Sequence, residues 1–217
     1  MAANKGLLPY IPMVKFLSEA LGPQFEIVLH DLTDLDQSVV AIENNQISHR
    51  IVGSPATDLL LELVKTSQTL GNKDYITNYK GRARDGKTLK GSTFLIKDET
   101  QTPIGALCIN MDISAFIQAR DQLDTLIHRD EPKSVRKTEK VSEELEHSIE
   151  DLTANAVNNI LSQTPIPPER MSPEEKLHII DQLNKKGIFL LKGAVSEVAK
   201  QLKTSEPTIY RYLNKLK

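Results

Sequence analysis

Six polar or ionisable side chains in the first half of the sequence have types that could bind a small polar molecule. The candidate ligand-binding residues are His30, Asp31, Arg50, Ser92, Cys108 and Asn110. His30 and Asp31 interrupt the apolar stretch FEIVLHDL. Cys108 and Asn110 lie two residues apart, which places them on one face of a strand. An arginine and an aspartate in one pocket would bind the carboxylate and the amine of an amino-acid-like ligand.

Each of these residues also has a purely structural interpretation. His30 can be a hydrogen-bonded strand residue, Asp31 can cap the turn that follows it, and Arg50 can be solvated. Cys108 can be a small hydrophobic residue within the sheet. The sequence leaves both interpretations open.

Motifs that would predict an enzyme are absent from the sequence. It contains no Gly-rich phosphate loop, no HExxH, no paired-cysteine metal site and no nucleophile elbow. His30, Asp31 and Cys108 could be drawn as a hydrolytic or transfer site, but only their types support it. We therefore predict no catalytic residues, no metal site and no cofactor.

A second group of polar side chains lies in the C-terminal stretch GAVSEVAKQLKTSEPTIYRYLNKLK, residues 193–217. Its first part predicts a helix with one apolar face, formed by Val195, Val198, Ala199 and Leu202. Ser205 is a favourable N-cap for a second helix, and Pro207 is tolerated in a first turn. This second helix is predicted to bury Ile209, Leu213 and Leu216.

Two such helices joined by a tight turn form a helix-turn-helix, whose second helix enters the DNA major groove. The alternative is an ordinary helical hairpin. Lys203 occupies the turn position that often holds Gly, so it must accept a positive φ or the turn must differ. The candidate DNA-binding residues are Lys192, Lys203, Ser205, Glu206, Thr208, Tyr210, Arg211, Asn214 and Lys215.

The composition fits a globular DNA-binding protein. From Met171 onward the chain carries 9 Lys/Arg and 5 Asp/Glu, whereas the remainder is acidic; a basic end on an acidic body suits nucleic acid. No run of 18 apolar residues predicts a membrane span, and the first residues do not fit a secretory signal. Cys108 is the single cysteine, which predicts a reducing, cytoplasmic setting.

Hydrophobic periodicity predicts five groups of elements in the first part of the chain. They are a helix at 7–21, strands at 25–32 and 37–43, a helix at 57–69, strands at 73–82, 88–97 and 102–112, and a helix at 114–128. This order resembles that of a PAS-type sensor, a five-stranded antiparallel sheet with helices over a small pocket. The predicted fold class is α+β, with an all-α helix-turn-helix domain after the sheet.

Three regions follow from this pattern: a sensor domain at 1–130, a linker and connecting helix at 131–164, and a helix-turn-helix domain at 165–217. Residues 129–141 are polar and predict a flexible linker. A helix is predicted from a Ser142 cap to residue 162. Its apolar residues form a narrow seam that either packs on its own sheet or pairs two subunits. The seam consists of Leu145, Ile149, Leu152, Ala156 and Ile160.

The sequence resembles the YheO-like family of bacterial transcriptional regulators, which includes the D-arginine-utilisation repressor type. The resemblance rests on several stretches along nearly the whole chain. They are VLHDL at 28–32, Arg50 with Gly53 and Thr57-Asp58, GALCINMDIS at 105–114, Val198-Ala199, and Ser205 with TIYRYL at 208–213. It implies a PAS-like sensor joined to a helix-turn-helix. Asn44-Asn45-Gln46 stands where such proteins usually have a Gly-containing turn, so the resemblance transfers no ligand.

We therefore predict a DNA-binding transcriptional regulator, a repressor, whose PAS-like domain senses an amino-acid-like small molecule. The predicted partners are double-stranded DNA, a small-molecule effector and a second copy of the chain, with no membrane. Two alternatives remain: a PAS-like interaction or dimerisation module without ligand, and a small-molecule enzyme with a DNA-binding tail.

Overall fold

The computed structural model describes residues 4–65, 73–127, 142–145, 148–162, 164 and 166–216. Within these ranges the strands are β1 (Phe25–Asp31), β2 (Val39–Glu43), β3 (Tyr75–Ala83), β4 (Thr88–Lys97), β5 (Pro103–Asp112) and β6 (Ser142–Leu145). The α-helices are α1 (Ile11–Leu21), α2 (Asp58–Lys65), α3 (Ser114–Ile127), α4 (Ile149–Leu161), α5 (Pro173–Lys185), α6 (Ala194–Gln201) and α7 (Glu206–Lys215). The predicted linker at 129–141 lies outside the described residues.

All six strands belong to one sheet with the order β2-β1-β5-β4-β3-β6. The first five strands in that order pair antiparallel, which confirms the predicted PAS-like sheet. Strand β4 begins and ends at the predicted residues. β6 is an addition to the prediction: it pairs parallel to β3, with Lys80 opposite Ser142 and Ala83 opposite Leu145.

The predicted helix that starts at Ser142 is wrong over its first turns. The segment Ser142–Leu145 is a strand because β3 offers it backbone partners, and Leu145 is buried in a small cluster with Ile47, Ala83 and Leu89. The helix begins later, at Ile149. Ser148 caps it, and its hydroxyl accepts a hydrogen bond from the Asp151 N–H at 3.1 Å.

The seam residues of α4 are buried within the chain rather than left free. Leu152, Ala156 and Ile160 lie in the largest core cluster, and α4 contacts α5 and α6. The same cluster contains Val28 and Cys108 of the sheet, so the seam packs within its own chain, against the following helices and in a core that it shares with the sheet. α4 therefore belongs structurally with the helices that follow it.

Two hydrophobic layers cover the sheet. On one face, Ile27 and Leu29 pack with α1 and the residues before it. On the other face, Val28 and Cys108 belong to a larger core that continues through α2 into helices α4 to α7. The inner face of the sensor sheet and the C-terminal helices thus share one core, with α2 between them.

α3 lies at the surface and buries none of its residues. Its apolar side chains are each more than half exposed: Phe116, Leu123, Leu126 and Ile127. Their spacing of three, four and seven residues places them along one side of the helix. An unusually apolar helix face therefore faces solvent in the isolated chain.

Candidate nucleic-acid interface and buried polar face

Helices α6 and α7 form a helix-turn-helix, and the residues that pack between the two helices are small or branched. Val198, Ala199 and Leu202 of the first helix and Ile209 of the second are buried, as predicted. The small side chain of Ala199 lets the two helices approach closely. The Tyr212 ring is also buried, three residues after Ile209 and so on the same side of the helix, although the sequence analysis did not include it among the buried residues.

The turn between α6 and α7 is closed by backbone hydrogen bonds. Lys203 has φ +49°, so it accepts the left-handed conformation that its position predicted. The Lys203 N–H donates to the Lys200 carbonyl at 3.3 Å, and the Thr204 N–H donates to the Ala199 carbonyl at 2.9 Å. These two bonds are the Schellman arrangement that ends a helix. The strained residue is therefore held by the helix end before it.

Ser205 occupies the N-cap position of α7, as predicted, with an extended backbone. Its hydroxyl lies 2.9 Å from the Thr208 hydroxyl and makes no hydrogen bond to the backbone of the first turn. The Ser205 carbonyl accepts the first helical hydrogen bonds from Thr208 and Ile209. The cap hydroxyls thus remain at the exposed entrance of the helix.

The outward side of α7 is polar and exposed. Tyr210, Arg211, Asn214 and Lys215 are exposed there, together with Glu206, whereas Thr208 is half-buried. The Arg211 guanidinium lies 5.7 Å from the centre of the Tyr212 ring. This contact supports the stem of Arg211 while its donors face solvent.

Lys192 precedes α6 and contacts the sensor. Its N–H donates to Asp36 Oδ1 at 3.0 Å, and its Nζ lies 3.3 Å from Asp36 Oδ2. The Lys192 side chain is 88% exposed. A residue predicted to bind DNA is therefore paired with a carboxylate of the sensor.

A row of polar side chains lies on the inner face of the sensor sheet. Strand pairing places Glu26 opposite Asn110 and Val28 opposite Cys108. Glu26 is fully buried, and its carboxylate accepts hydrogen bonds from the Ser48 N–H (3.2 Å), the Ser48 hydroxyl (2.5 Å) and Asn110 Nδ2 (3.1 Å). Asn110 is 2% exposed, and among the described residues its Oδ1 has no hydrogen-bond partner.

His30 lies on the same face, two residues beyond Val28. Its Nδ1 is 2.9 Å from the Ser38 hydroxyl. Burial lowers the pKa of the His30 imidazole well below 6.5, and the positive charge of Arg50 lowers it further. Arg50 is 1% exposed and donates to the Pro55 carbonyl. The inner face therefore holds a neutral imidazole close to a buried guanidinium.

A chain of hydroxyl and thiol groups crosses the next strands. The Tyr79 hydroxyl lies 2.8 Å from Thr93 Oγ1, which lies 3.2 Å from Cys108 Sγ. The Tyr79 ring lies over Gly91, where any Cβ would collide with it. Cys108 is thus a buried thiol within a hydrogen-bonded row, in keeping with its interpretation as a small sheet residue.

Comparison with known families identifies the domain type of the strand-rich first part of the chain and of the helices that follow it. A model described as "YheO-like PAS domain" matches residues 1–128, and a model described as "HTH domain" matches residues 152–214. The chain belongs to the YheO-like PAS family. A PAS-like domain joined to a helix-turn-helix domain is the composition of a transcriptional regulator, and the predicted resemblance is confirmed.

Relatives of this YheO-like chain span nearly its whole length. An uncharacterised protein of Haemophilus influenzae is 31% identical over 210 residues, covering 96% of this chain and 90% of that protein. YheO of Escherichia coli K12 is 31% identical over 212 residues, covering 97% and 85%. The transcriptional regulator DauR of Pseudomonas aeruginosa is 26% identical over 199 residues, covering 90% and 87%.

Two predicted ligand residues of the YheO-like chain lie away from the inner polar face. Asp31 accepts hydrogen bonds from the Asn4 N–H, the Thr33 N–H and the Thr33 hydroxyl, so it caps a turn. Ser92 lies on the outward face of β4, where its hydroxyl accepts from the Asn78 N–H at 3.3 Å. The expected pairing of Asp31 with Arg50 in one pocket is therefore not formed.

Glu26 is the carboxylate that the sequence analysis missed. It lies two residues before Val28 and four before His30, so the period of a strand places all three on one face. That alternation was the signal that could have identified it. His30, Arg50, Cys108 and Asn110 remain together on or beside this buried face.

Within the described part of the chain, no helix is both long and apolar enough to span a bilayer.

Proposed function

We propose that this YheO-like protein is a cytoplasmic transcriptional repressor without enzymatic activity. In this proposal it binds double-stranded DNA as a homodimer, and its PAS-like domain senses an amino-acid-like small molecule. The observation that carries the proposal is the exposed polar side of α7, held outward by the buried Ile209 and Tyr212. Such a helix fits the major groove, where arginine donates two hydrogen bonds to guanine.

The charges around α7 suit a duplex. Arg211 and Lys215 lie on its exposed side, and Lys203 precedes it at the turn. The position of Lys203, in the turn before α7, suits a contact with a DNA phosphate. Tyr210 and Asn214 lie further along the helix and suit contacts with DNA inside the groove. Glu206 lies in the first turn of α7, where its negative charge stabilises the positive end of the helix dipole. We assign it no contact with DNA.

The buried polar face supports ligand sensing. Asn110 Oδ1 is buried beside the Glu26 carboxylate and lacks a hydrogen-bond donor among the described residues. Such an acceptor costs folding free energy unless a donor reaches it. An ammonium group of an amino-acid-like molecule would supply that donor and would neutralise Glu26. Binding changes DNA affinity only through different affinities for two domain arrangements.

The exposed apolar side of α3 supports a homodimer. One helix-turn-helix offers a modest contact area, so specific binding usually needs two copies on half-sites about 34 Å apart. Phe116, Leu123 and Ile127 form a surface that a second copy would cover. The repressor role rests on the resemblance to the D-arginine-utilisation type.

Titration of DNA from the promoter of the protein's own gene tests the proposal. An Arg211→Ala, Lys215→Ala variant should lose affinity, by about 1–3 kcal/mol for Arg211 alone if it contacts guanine. The matched control is Lys185→Ala, Lys186→Ala, which removes two exposed cations at the end of α5. Equal losses in both variants, or no loss in either, would exclude α7 from the interface.

Ligand sensing is tested separately by thermal unfolding with L- and D-amino acids. A ligand raises Tm only if it binds the folded chain, and its effect should disappear in an Asn110→Leu variant. An Ile109→Val variant, altered on the same strand but on the opposite face of the sheet, should keep the response. A Tm insensitive to every amino acid would contradict the predicted ligand class.

A further inference from the structure

Asp36 connects the sensor to the DNA-binding helices. Its carboxylate accepts the Lys192 N–H at Oδ1 (3.0 Å) and lies 3.3 Å from Lys192 Nζ at Oδ2. The Asp36 side chain is only 16% exposed, whereas that of Lys192 is 88% exposed. The carboxylate is thus held in place, and the ammonium can leave it for solvent or for another anion.

The turn that carries Asp36 is bonded to the buried polar face. Asp36 lies in the short turn Leu35–Gln37 between β1 and β2. The Ala56 N–H donates to the Leu35 carbonyl at 2.8 Å, and the Asp31 N–H donates to the Ser38 carbonyl at 2.7 Å. The Ser38 hydroxyl lies 2.9 Å from His30 Nδ1. Only Gln37 therefore separates Asp36 from Ser38, which contacts the inner face directly.

The same boundary includes contacts that orient the helical unit. Lys65 of α2 donates to both oxygens of Asn184, with 2.6 Å to Oδ1. Gly187 lies against the Leu61 backbone. The Asp36–Lys192 pair is thus one exposed edge of a packed contact. Because the Lys192 ammonium is largely exposed, solvent screens its attraction to Asp36, and this contact can open without unfolding the core.

We propose that Asp36 is a latch that holds Lys192 on the sensor, and that DNA phosphate competes with Asp36 for the Lys192 ammonium. Lys192 lies one residue before Gly193, the N-cap of α6, and α6 is the helix that crosses the phosphate backbone in a helix-turn-helix. An anion already paired with that ammonium lowers its attraction for phosphate. The competition rests on the proposed DNA binding, whereas the latch rests only on the intramolecular contact.

Asp36→Ala and Asp34→Ala form a matched pair of variants. Both remove one negative charge from the same turn, but Asp34 makes no side-chain cap bond there. In the full chain without DNA, hydrogen exchange of the Lys192 amide should be about tenfold faster in Asp36→Ala than in the native protein. In Asp34→Ala it should be unchanged.

Promoter DNA provides the second measurement. At low salt, Asp36→Ala should bind about two- to fivefold more tightly than Asp34→Ala, and this difference should vanish when both carry Lys192→Ala. A difference that persists without Lys192, or equal affinities of the two variants, would overturn the competition. Loss of DNA binding in every variant, the native chain included, would overturn the proposed function. An unchanged Lys192 amide exchange rate in Asp36→Ala would overturn the latch.

Discussion

Gly187 lies so close to Leu61 that a Cβ on the glycine would come within 2.8 Å of the Leu61 carbonyl oxygen. The two residues belong to different parts of the chain: Leu61 to α2 of the sensor, and Gly187 to the end of α5. Gly187 also has φ +76°, where a side chain is strained. The helical unit therefore approaches the backbone of α2 closely at this point, where only a glycine fits.

Gly187→Ala is expected to destabilise the chain more than Gly193→Ala. Gly193 has φ +81° but nothing within 4 Å of a built Cβ, so its substitution costs about 1–2 kcal/mol of backbone strain alone. Gly187→Ala adds about 1–3 kcal/mol from the collision with Leu61. Urea unfolding of both variants measures the difference. Equal free energies of unfolding would mean that the two parts are not packed together at this point.

His30 is expected to make stability depend on pH. Its pKa is lowered in the folded state, so below about 6.5 the unfolded chain binds a proton that the folded chain does not. The contribution of the neutral imidazole is complete above pH 6.5 and is lost as pH falls towards the lowered pKa, by at most about 1.4 kcal/mol per pH unit.

Unfolding free energies at several pH values between about 5 and 7.5 test this expectation. A His30→Gln variant should lack this part of the slope, whatever its stability at pH 7.5. His178→Gln, which removes an exposed imidazole on α5, should retain it. Parallel pH profiles for the native chain and His30→Gln would contradict the burial of a neutral His30.

Lys203 is expected to have opposite effects on stability and on DNA affinity. Lys203→Gly relieves a positive φ and should raise the free energy of unfolding by about 0.5–1 kcal/mol, after the entropy cost of glycine is subtracted. The same change removes a cation and should lower the salt dependence of DNA binding by about one phosphate contact. Lys203→Ala is the control, since it loses the cation and keeps the strain.

Leu123→Glu is expected to weaken the proposed homodimer. A charge on the apolar side of α3 must be desolvated when a second copy covers that side. Gln122→Glu adds the same charge to the neighbouring exposed position and should leave the dimer intact. Sedimentation of the full chain at micromolar concentration is the measurement. A monomeric native chain, or a dimer insensitive to Leu123→Glu, would exclude this surface.

The main strands and helices could be predicted from the sequence because each carries its own periodic pattern. β4 was predicted to the residue, since alternating burial runs through Leu89, Gly91, Thr93 and Leu95. β6 could not be predicted. Its four residues SEEL have no strand preference, and they are extended only because β3, about 60 residues earlier, offers backbone partners.

The residue types of the site could be predicted from the sequence, but the face of the sheet on which each side chain lies was harder to predict. His30, Cys108 and Asn110 lie on or beside the inner face, while Asp31 and Ser92 are one residue out of phase with it and point elsewhere. The pairing of Lys192 with Asp36 joins residues 156 positions apart. Such a contact depends on how the two parts pack, which no local pattern contains.

The parallel pairing of β6 with β3 means that the sensor sheet is finished by a segment beyond residue 130. A fragment of residues 1–130 would leave β3 as an open edge, with a row of backbone donors and acceptors ready for any foreign strand. We expect such a fragment to aggregate or to pair edge to edge through residues 80–83 of β3, whose backbone groups β6 occupies in the intact chain. A fragment that extends through Leu145 would keep residues 80–83 of β3 paired with β6.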